Sequence, residues 1–156
     1  MFACFIPSFS FHCAYRWVYW SDWGSVAKIE KASMDGKNQT VIVDTNLVWP
    51  NGLTLDSYQQ VLYWIDAYLD RIESSSVNGS RRSVVSSERI YRPFGISVYR
   101  GILYFTDSFT GVNIVTSNGG TVRTIYNNLC DDAIGIEVVS AERQPAGKYH
   151  MTFVHV

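Results

Sequence analysis

Apolar and polar residues alternate in three well-separated stretches of this chain, each just after a glycine. The order is Leu53-Thr54-Leu55 after Gly52, Ile96-Ser97-Val98 after Gly95, and Ile136-Glu137-Val138 after Gly135. A period of two is the pattern of a strand. Trp49-Pro50-Asn51 precedes the first stretch and Arg92-Pro93-Phe94 the second, while Asp132-Ala133-Ile134 is a degenerate third copy. Proline at the start of a strand fixes the backbone where a missing N–H costs nothing. Gly52, Gly95 and Gly135 are expected where two backbones approach too closely for a side chain.

Three further short elements follow each of these. The first carries a repeated box: Tyr19-Trp20-Ser21-Asp22, Tyr63-Trp64-Ile65-Asp66 and Tyr104-Phe105-Thr106-Asp107. Its tyrosines lie 44 and then 41 residues apart. The next element starts at Ile29, Ile72 and Val112 and runs into Asp35-Gly36, Asn78-Gly79 or Asn118-Gly119. Such dipeptides are strong hairpin signals, because both central residues tolerate positive φ. The last element is Val41-Ile42-Val43, Ser83-Val84-Val85 or Val122-Arg123-Thr124-Ile125. Four short antiparallel strands every 40-odd residues make one blade of a β-propeller. β-Branched and aromatic residues, interrupted at strand length by glycine and proline, disfavour helix throughout. The expected fold class is all-β.

The boxes, Trp49-Pro50-Asn51-Gly52-Leu53-Thr54-Leu55-Asp56 and Ile29-Glu30-Lys31-Ala32-Ser33-Met34-Asp35-Gly36 resemble the YWTD (class B) repeats of the low-density lipoprotein receptor family. The resemblance covers about residues 16–145. It implies a six-bladed extracellular propeller on a single-pass receptor, flanked by EGF-like modules. Endocytic lipoprotein-receptor relatives and Wnt co-receptors both fit. The chain holds only about three blades, so a partial propeller is expected, with 47–86 and 91–127 complete. The first blade is expected to have lost its opening strand, since nothing like Pro-x-Gly precedes Tyr19. One strand of a further blade stands at 133–139, and Glu142-Arg143-Gln144-Pro145 resembles the segment that ends such propellers.

Residues 1–15 and 146–156 read as segments foreign to the repeat. The first is rich in Phe, Ser, Pro and Cys, whose codons can be pyrimidine-rich, and Gly147-Lys148-Tyr149 can encode a splice-donor sequence. Translated intron at both ends is the expectation. The rival reading of the N-terminus, a signal peptide, wants a basic n-region and a small-x-small cleavage site that are missing.

Composition narrows the function. Thirteen basic against 14 acidic residues give a net charge of -1, with no general pull toward nucleic acid or anionic membrane. No apolar run approaches the roughly 20 residues that span a bilayer. Three cysteines at 4, 13 and 130 form neither a zinc spacing nor an even disulfide set. Cys130 reads as a buried thiol or as one whose partner lies outside this segment. The sequons at Asn38 and Asn78 fall in the same turn of their repeats, and glycosylation there would set two sugars on one rim.

Asp22, Asp66 and Asp107, repeated once per blade, do not converge on one centre. They are read as ties between loops and backbone N–H groups rather than as metal ligands or general acids. Tyr19, Trp20, Tyr63, Trp64, Tyr104 and Phe105 are read as packing between blades. The resemblance implies that the mouth carrying Trp49 is a ligand face. Trp49, Asn51, Arg92 and Phe94 are therefore the binding candidates, against the plainer reading that Trp49 packs under its own loop.

All three histidines lie in the two end segments, at 12, 150 and 155. An acid-release switch built on histidine is thus expected in other modules of a receptor. No nucleophile elbow, HExxH, P-loop or EF-hand pattern occurs, and Ser74-Ser75-Ser76 has no histidine as base. Neither a catalytic residue nor a cofactor is expected.

The resulting expectation is a protein-ligand-binding module of a receptor ectodomain at the plasma membrane, with an EGF-like module and further blades as neighbours. Its ligand could be lipoprotein cargo, a Wnt-pathway antagonist or an intracellular chaperone. Two alternatives stay open. One is a propeller hydrolase, for which Leu53, Thr54, Leu55, Ile96, Ser97 and Val98 offer a poor set of ligands to a hard cation. The other is a truncated fragment without function, expected to self-associate through open blade faces and strand edges.

Overall fold

The computed structural model describes residues 8–12, 16–127, 135–139 and 150–154, with backbone alone for 8–12, 139 and 150–154. Every regular element in them is a strand. β1 (Ser8–His12), β2 (Trp17–Asp22), β3 (Lys28–Ser33) and β4 (Thr40–Val43) form one sheet in that order. β5 (Pro50–Asp56), β6 (Val61–Asp66), β7 (Arg71–Ser76) and β8 (Ser83–Ser86) form the second. β9 (Pro93–Tyr99), β10 (Ile102–Asp107), β11 (Gly111–Thr116) and β12 (Arg123–Tyr126) form the third. β13 (Gly135–Val139) and β14 (His150–Val154) pair as a two-stranded sheet. All pairings are antiparallel between neighbours, so each four-stranded sheet is a meander.

The first blade departs from the sequence reading, which left it without an opening strand. Ser8–His12 takes that edge, pairing Ser8 with Ser21 through His12 with Trp17. The order Ser-Phe-Ser-Phe-His has period-two alternation but no glycine and no proline, so it carries none of the marks of the other inner strands. β14, likewise from a segment read as foreign to the repeat, pairs with β13 from Gly135↔Val154 to Val139↔His150.

Alternation along the box strand sends neighbouring side chains to opposite faces. The box tyrosine therefore faces one neighbouring blade and the residue after it faces the other. Tyr19 shares a core with Trp64, Leu53, Leu55 and Leu62 of the second blade. Tyr63 shares the next core with Phe105, Ile96, Val98 and Leu103 of the third. Trp64 and Phe105 are fully buried, Tyr19 and Tyr63 nearly so. Trp20 and Tyr104, whose faces look outward from this stack, are only half-buried.

The inner strands stack backbone on backbone. A Cβ at Gly52 would lie 2.5 Å from the Phe94 carbonyl oxygen, and one at Gly95 would lie 2.9 Å from the Ile136 amide nitrogen. Hydroxyls bridge the same step: Val98 N–H donates to Thr54 Oγ1 at 3.3 Å and Val138 N–H to Ser97 Oγ at 3.2 Å. Thr54 and Ser97 are buried and engaged with the adjoining blade.

Candidate binding rim

The register places one set of loops at a single end of the sheets. Pro50 pairs with Asp66, so the segment entering β5 and the turn leaving β6 lie side by side. Asp107 pairs with Pro93 in the same way. The rim thus consists of segment 23–27 in the first blade, 47–49 and 67–70 in the second, and 90–92 and 108–110 in the third.

The box aspartates build this rim. One oxygen of Asp66 accepts the N–H of Val48 at 2.8 Å, and the other accepts those of Trp49, Tyr68 and Leu69, each at 3.1 Å. Asp107 repeats the arrangement, accepting from Tyr91, from Phe109 at 2.8 Å and from Thr110 at 3.0 Å. Asp22 accepts the N–H of Gly24 at 2.8 Å and faces Lys28 Nζ at 4.0 Å. Each carboxylate thereby fixes backbone donors that would otherwise be orphaned in a tight turn.

Trp49 is 45% exposed and lies between two aromatic neighbours, Trp23 at 6.3 Å and Tyr68 at 5.3 Å edge to face. Its backbone is held on both sides: its N–H reaches Asp66, and its carbonyl accepts the Ala67 N–H at 2.9 Å. Arg92, the equivalent residue of the next blade, is exposed and has a left-handed backbone with φ 51°. Its N–H donates to Asp70 at 2.9 Å and its carbonyl accepts from Ser108 Oγ at 3.3 Å. Beside it Tyr91 and Phe109 meet edge to face at 6.4 Å, 49% and 73% exposed. Phe94 is half-buried.

Asn51 sits differently from the other three candidates. It is buried, and its carbonyl accepts the hydroxyl of Ser21 at 2.9 Å, tying the first blade to the second. Four exposed or half-buried rim aromatics escaped the sequence reading: Trp23, Tyr68, Tyr91 and Phe109. A signal for two of them was present, since Tyr68 and Phe109 both stand two residues after a box aspartate.

The two sequons lie at the opposite end. Val61 pairs with Ser76, so the turn holding Asn78 adjoins 57–60, away from Trp49. Asn38 and Asn78 are both exposed, but they are not equivalent. Asn78 precedes the turn glycine and accepts the Ser80 hydroxyl at 2.7 Å, whereas Asn38 follows it with φ 55°.

A model of the low-density lipoprotein receptor repeat class B matches residues 16–57 and 60–99, just over half of the chain. The chain belongs to the low-density lipoprotein receptor class B repeat family. The vitellogenin receptor Yl of Drosophila melanogaster is 38% identical over 90 residues, covering 58% of this chain and 4% of that protein. The human low-density lipoprotein receptor-related protein 5-like protein is 31% identical over 129 residues, 80% of this chain and 50% of that one. Among solved structures, a chain of a nidogen/laminin complex superposes with a TM-score of 0.80 at 30% identity, over 86% of this chain and 52% of that chain. A Xanthomonas campestris gluconolactonase superposes at a TM-score of 0.64 and 20% identity, a likeness of fold alone. The class B chain thus spans about half, or far less, of the length of these relatives. Its architecture is that of a partial YWTD β-propeller.

Proposed function

We propose that this class B repeat chain is part of an extracellular protein-binding module of a low-density lipoprotein receptor-related receptor, and that the Trp49 rim is its docking face. The observation that carries the reading is the exposed aromatic set Trp49, Tyr68, Tyr91 and Phe109, mounted on loops that Asp66 and Asp107 hold rigid. Exposed aromatics and an arginine on a preorganised backbone are the composition of interface hot spots. Arg92 adds a cation, and Trp23 and Phe94 supply further apolar surface. Asn51 contributes from below by locking the loop to the first blade.

A receptor ectodomain at the plasma membrane places the sequons at Asn38 and Asn78 in the secretory route, and their end of the sheets leaves the rim clear of sugar. Endocytic uptake and Wnt-pathway partnership are the two roles this family resemblance offers. The receptor-like relatives and the protein complex containing the nidogen-type propeller support a binding role over hydrolysis. Catalysis would need polar side chains gathered at the centre. Leu53, Thr54, Leu55, Ile96, Ser97 and Val98 are instead buried, and Thr54 and Ser97 are engaged with the next blade.

The test is Trp49→Ala and Arg92→Glu in the complete receptor ectodomain, measured by surface plasmon resonance against its protein ligands. A loss of tenfold or more in affinity, with unchanged secretion, is expected for a partner that docks here. Full affinity for every ligand would return Trp49 to a packing role.

A further inference from the structure

Where glycine follows asparagine, no side chain shields the next amide nitrogen from the carboxamide carbon, and the chain can react with itself. Three such steps stand in the sequence: Asn51-Gly52, Asn78-Gly79 and Asn118-Gly119. The fold gives each a different standing.

Asn51 is buried in β5, and its backbone is pinned at the step between blades. A Cβ at Gly52 would lie 2.5 Å from the Phe94 carbonyl oxygen and 2.9 Å from the Ile96 amide nitrogen. Asn78 is exposed in the turn after β7, but its carboxamide is engaged. Asn78 Oδ1 accepts the Ser80 N–H at 3.1 Å and the Ser80 hydroxyl at 2.7 Å. The main chain closes that turn twice, through Gly79 N–H to the Ser76 carbonyl and Ser76 N–H to the Ser80 carbonyl, both at 2.8 Å.

Asn118, at the equivalent place after β11, is exposed, and among the described residues no hydrogen bond holds its carboxamide. Its turn is closed by the Gly119 N–H, which donates to the Thr116 carbonyl at 2.9 Å, and by the Thr116 hydroxyl on the Gly119 carbonyl. Gly120 follows, exposed and with φ +124°, so two glycines stand in succession here. Opening one main-chain bond releases the Gly119 nitrogen.

We propose that Asn118 is a site of spontaneous deamidation, and that its conversion loosens the step between the second and third blades. The Gly119 nitrogen bonds to Cγ of Asn118 while the Cγ–Nδ2 bond breaks, and Nδ2 leaves as ammonia with the Gly119 amide proton. Water then opens the resulting succinimide at either carbonyl, giving aspartate or isoaspartate. In isoaspartate the main chain runs through Cβ and Cγ, one carbon longer than before. That carbon falls where room is scarce, since a Cβ at Gly119 would lie 2.8 Å from the Val85 carbonyl oxygen of β8. Val85 itself, and Val122 shortly beyond the turn, both pack on the core shared by the second and third blades.

The test is a peptide map of the full 156-residue chain, made in a host that attaches no sugar and aged in mildly alkaline buffer. Labelling by an isoaspartyl methyltransferase reports isoaspartate, and the same chain in urea supplies the rate at each step without the fold. Relative to that rate, Asn118 should convert ahead of Asn78 by about fivefold or more, the difference that one ordinary hydrogen bond makes. Asn51 should lag further, and Ser80→Ala should narrow the gap by speeding Asn78. The aged chain should melt at a lower temperature. Asn118→Gln should abolish that shift, and fresh Asn118→Asp, which has the charge without the added carbon, should not reproduce it. Equal rates at Asn118 and Asn78 in the folded chain overturn the proposal, as does a melting temperature unchanged after Asn118 has converted. Where the isolated chain does not hold its sheets by circular dichroism, the same map on the complete receptor ectodomain decides. Conversion at Asn118 ahead of Asn51 and Asn78 supports the proposal there, and an Asn118 that stays intact overturns it.

Discussion

The carboxylate of Asp66 accepts the backbone N–H of Trp49 at 3.1 Å across 17 residues of chain, so the repeat box sets the position of the most prominent rim side chain. Asp66 is fully buried and serves three other N–H groups as well. Removing it strands several donors in a turn too tight for water to replace the whole set. Asp66→Ala should therefore lower the stability of the chain by about 3 kcal/mol, the upper end of what one charged acceptor contributes. Urea denaturation measures this, and a loss below about 1 kcal/mol would contradict the role. Asp107→Ala should behave alike through Tyr91, Phe109 and Thr110.

Gly52 and Gly36 make a paired test of what a glycine does. At Gly52 the obstacle is the Phe94 carbonyl and the Ile96 amide of the next inner strand, both main chain and unable to step aside. Gly52→Ala should cost about 3 kcal/mol or more through overpacking at the blade step. Gly36 has open space but a φ of +79°. Gly36→Ala in a single chain should cost only about 1–2 kcal/mol, the strain of a left-handed backbone. Equal losses in thermal unfolding of the two variants would refute the steric account of Gly52.

Much of this was legible in the sequence because it repeats. Tyr63 and Trp64 are adjacent in a strand, so they had to face different blades; Gly52 and Gly95 marked the backbone contact; Asp66 and Asp107 announced loop ties. What escaped depends on register or on chain from elsewhere. The position of β1 follows no motif, since Ser8–His12 has only alternation to offer an unpaired edge. Asn51 looked like a rim residue from its place beside Trp49, yet it lies in a strand that the first blade covers. Glu73 was passed over because its two arginines, Arg71 in its own strand and Arg82 beyond the next turn, are gathered on it and on the Asn46 carbonyl only in the folded meander.

Glu73 is buried and clamped by two arginines. Arg71 reaches it at 2.8 Å and Arg82 at 2.7 Å, and both guanidinium groups also donate to the carbonyl of Asn46 in the link between the first two blades. Arg82 lies 5.4 Å over the ring of Trp64 as well. Taking away the carboxylate leaves two cations partly desolvated with carbonyls alone, and breaking one side of a buried pair costs about 3–5 kcal/mol. Glu73→Ala should fall in that range, and a double-mutant cycle with Arg82→Ala should show strong coupling. Additive losses would mean that the two side chains act independently.

The box tyrosines give the fold an alkaline limit. Burial holds the phenols of Tyr19 and Tyr63 above the ordinary tyrosine value, with Asp56 adding to the effect at Tyr63 and a hydrogen bond to Ser117 opposing it. In the unfolded chain both ionise near pH 10. A raised folded value means that the unfolded state loses its protons first, so this contribution to stability is complete below about pH 10 and disappears as the pH climbs through the folded values. Stability measured by urea denaturation should therefore fall with rising pH above about 10, and Tyr19→Phe and Tyr63→Phe should each flatten that fall. In the unaltered chain, tyrosinate absorbance from these two phenols should rise at higher pH than in the unfolded chain. If these two phenols ionised at the unfolded-chain value while the sheets stayed folded, they would have to be wet, and the packing of Tyr19 and Tyr63 against the next blade would have to be abandoned.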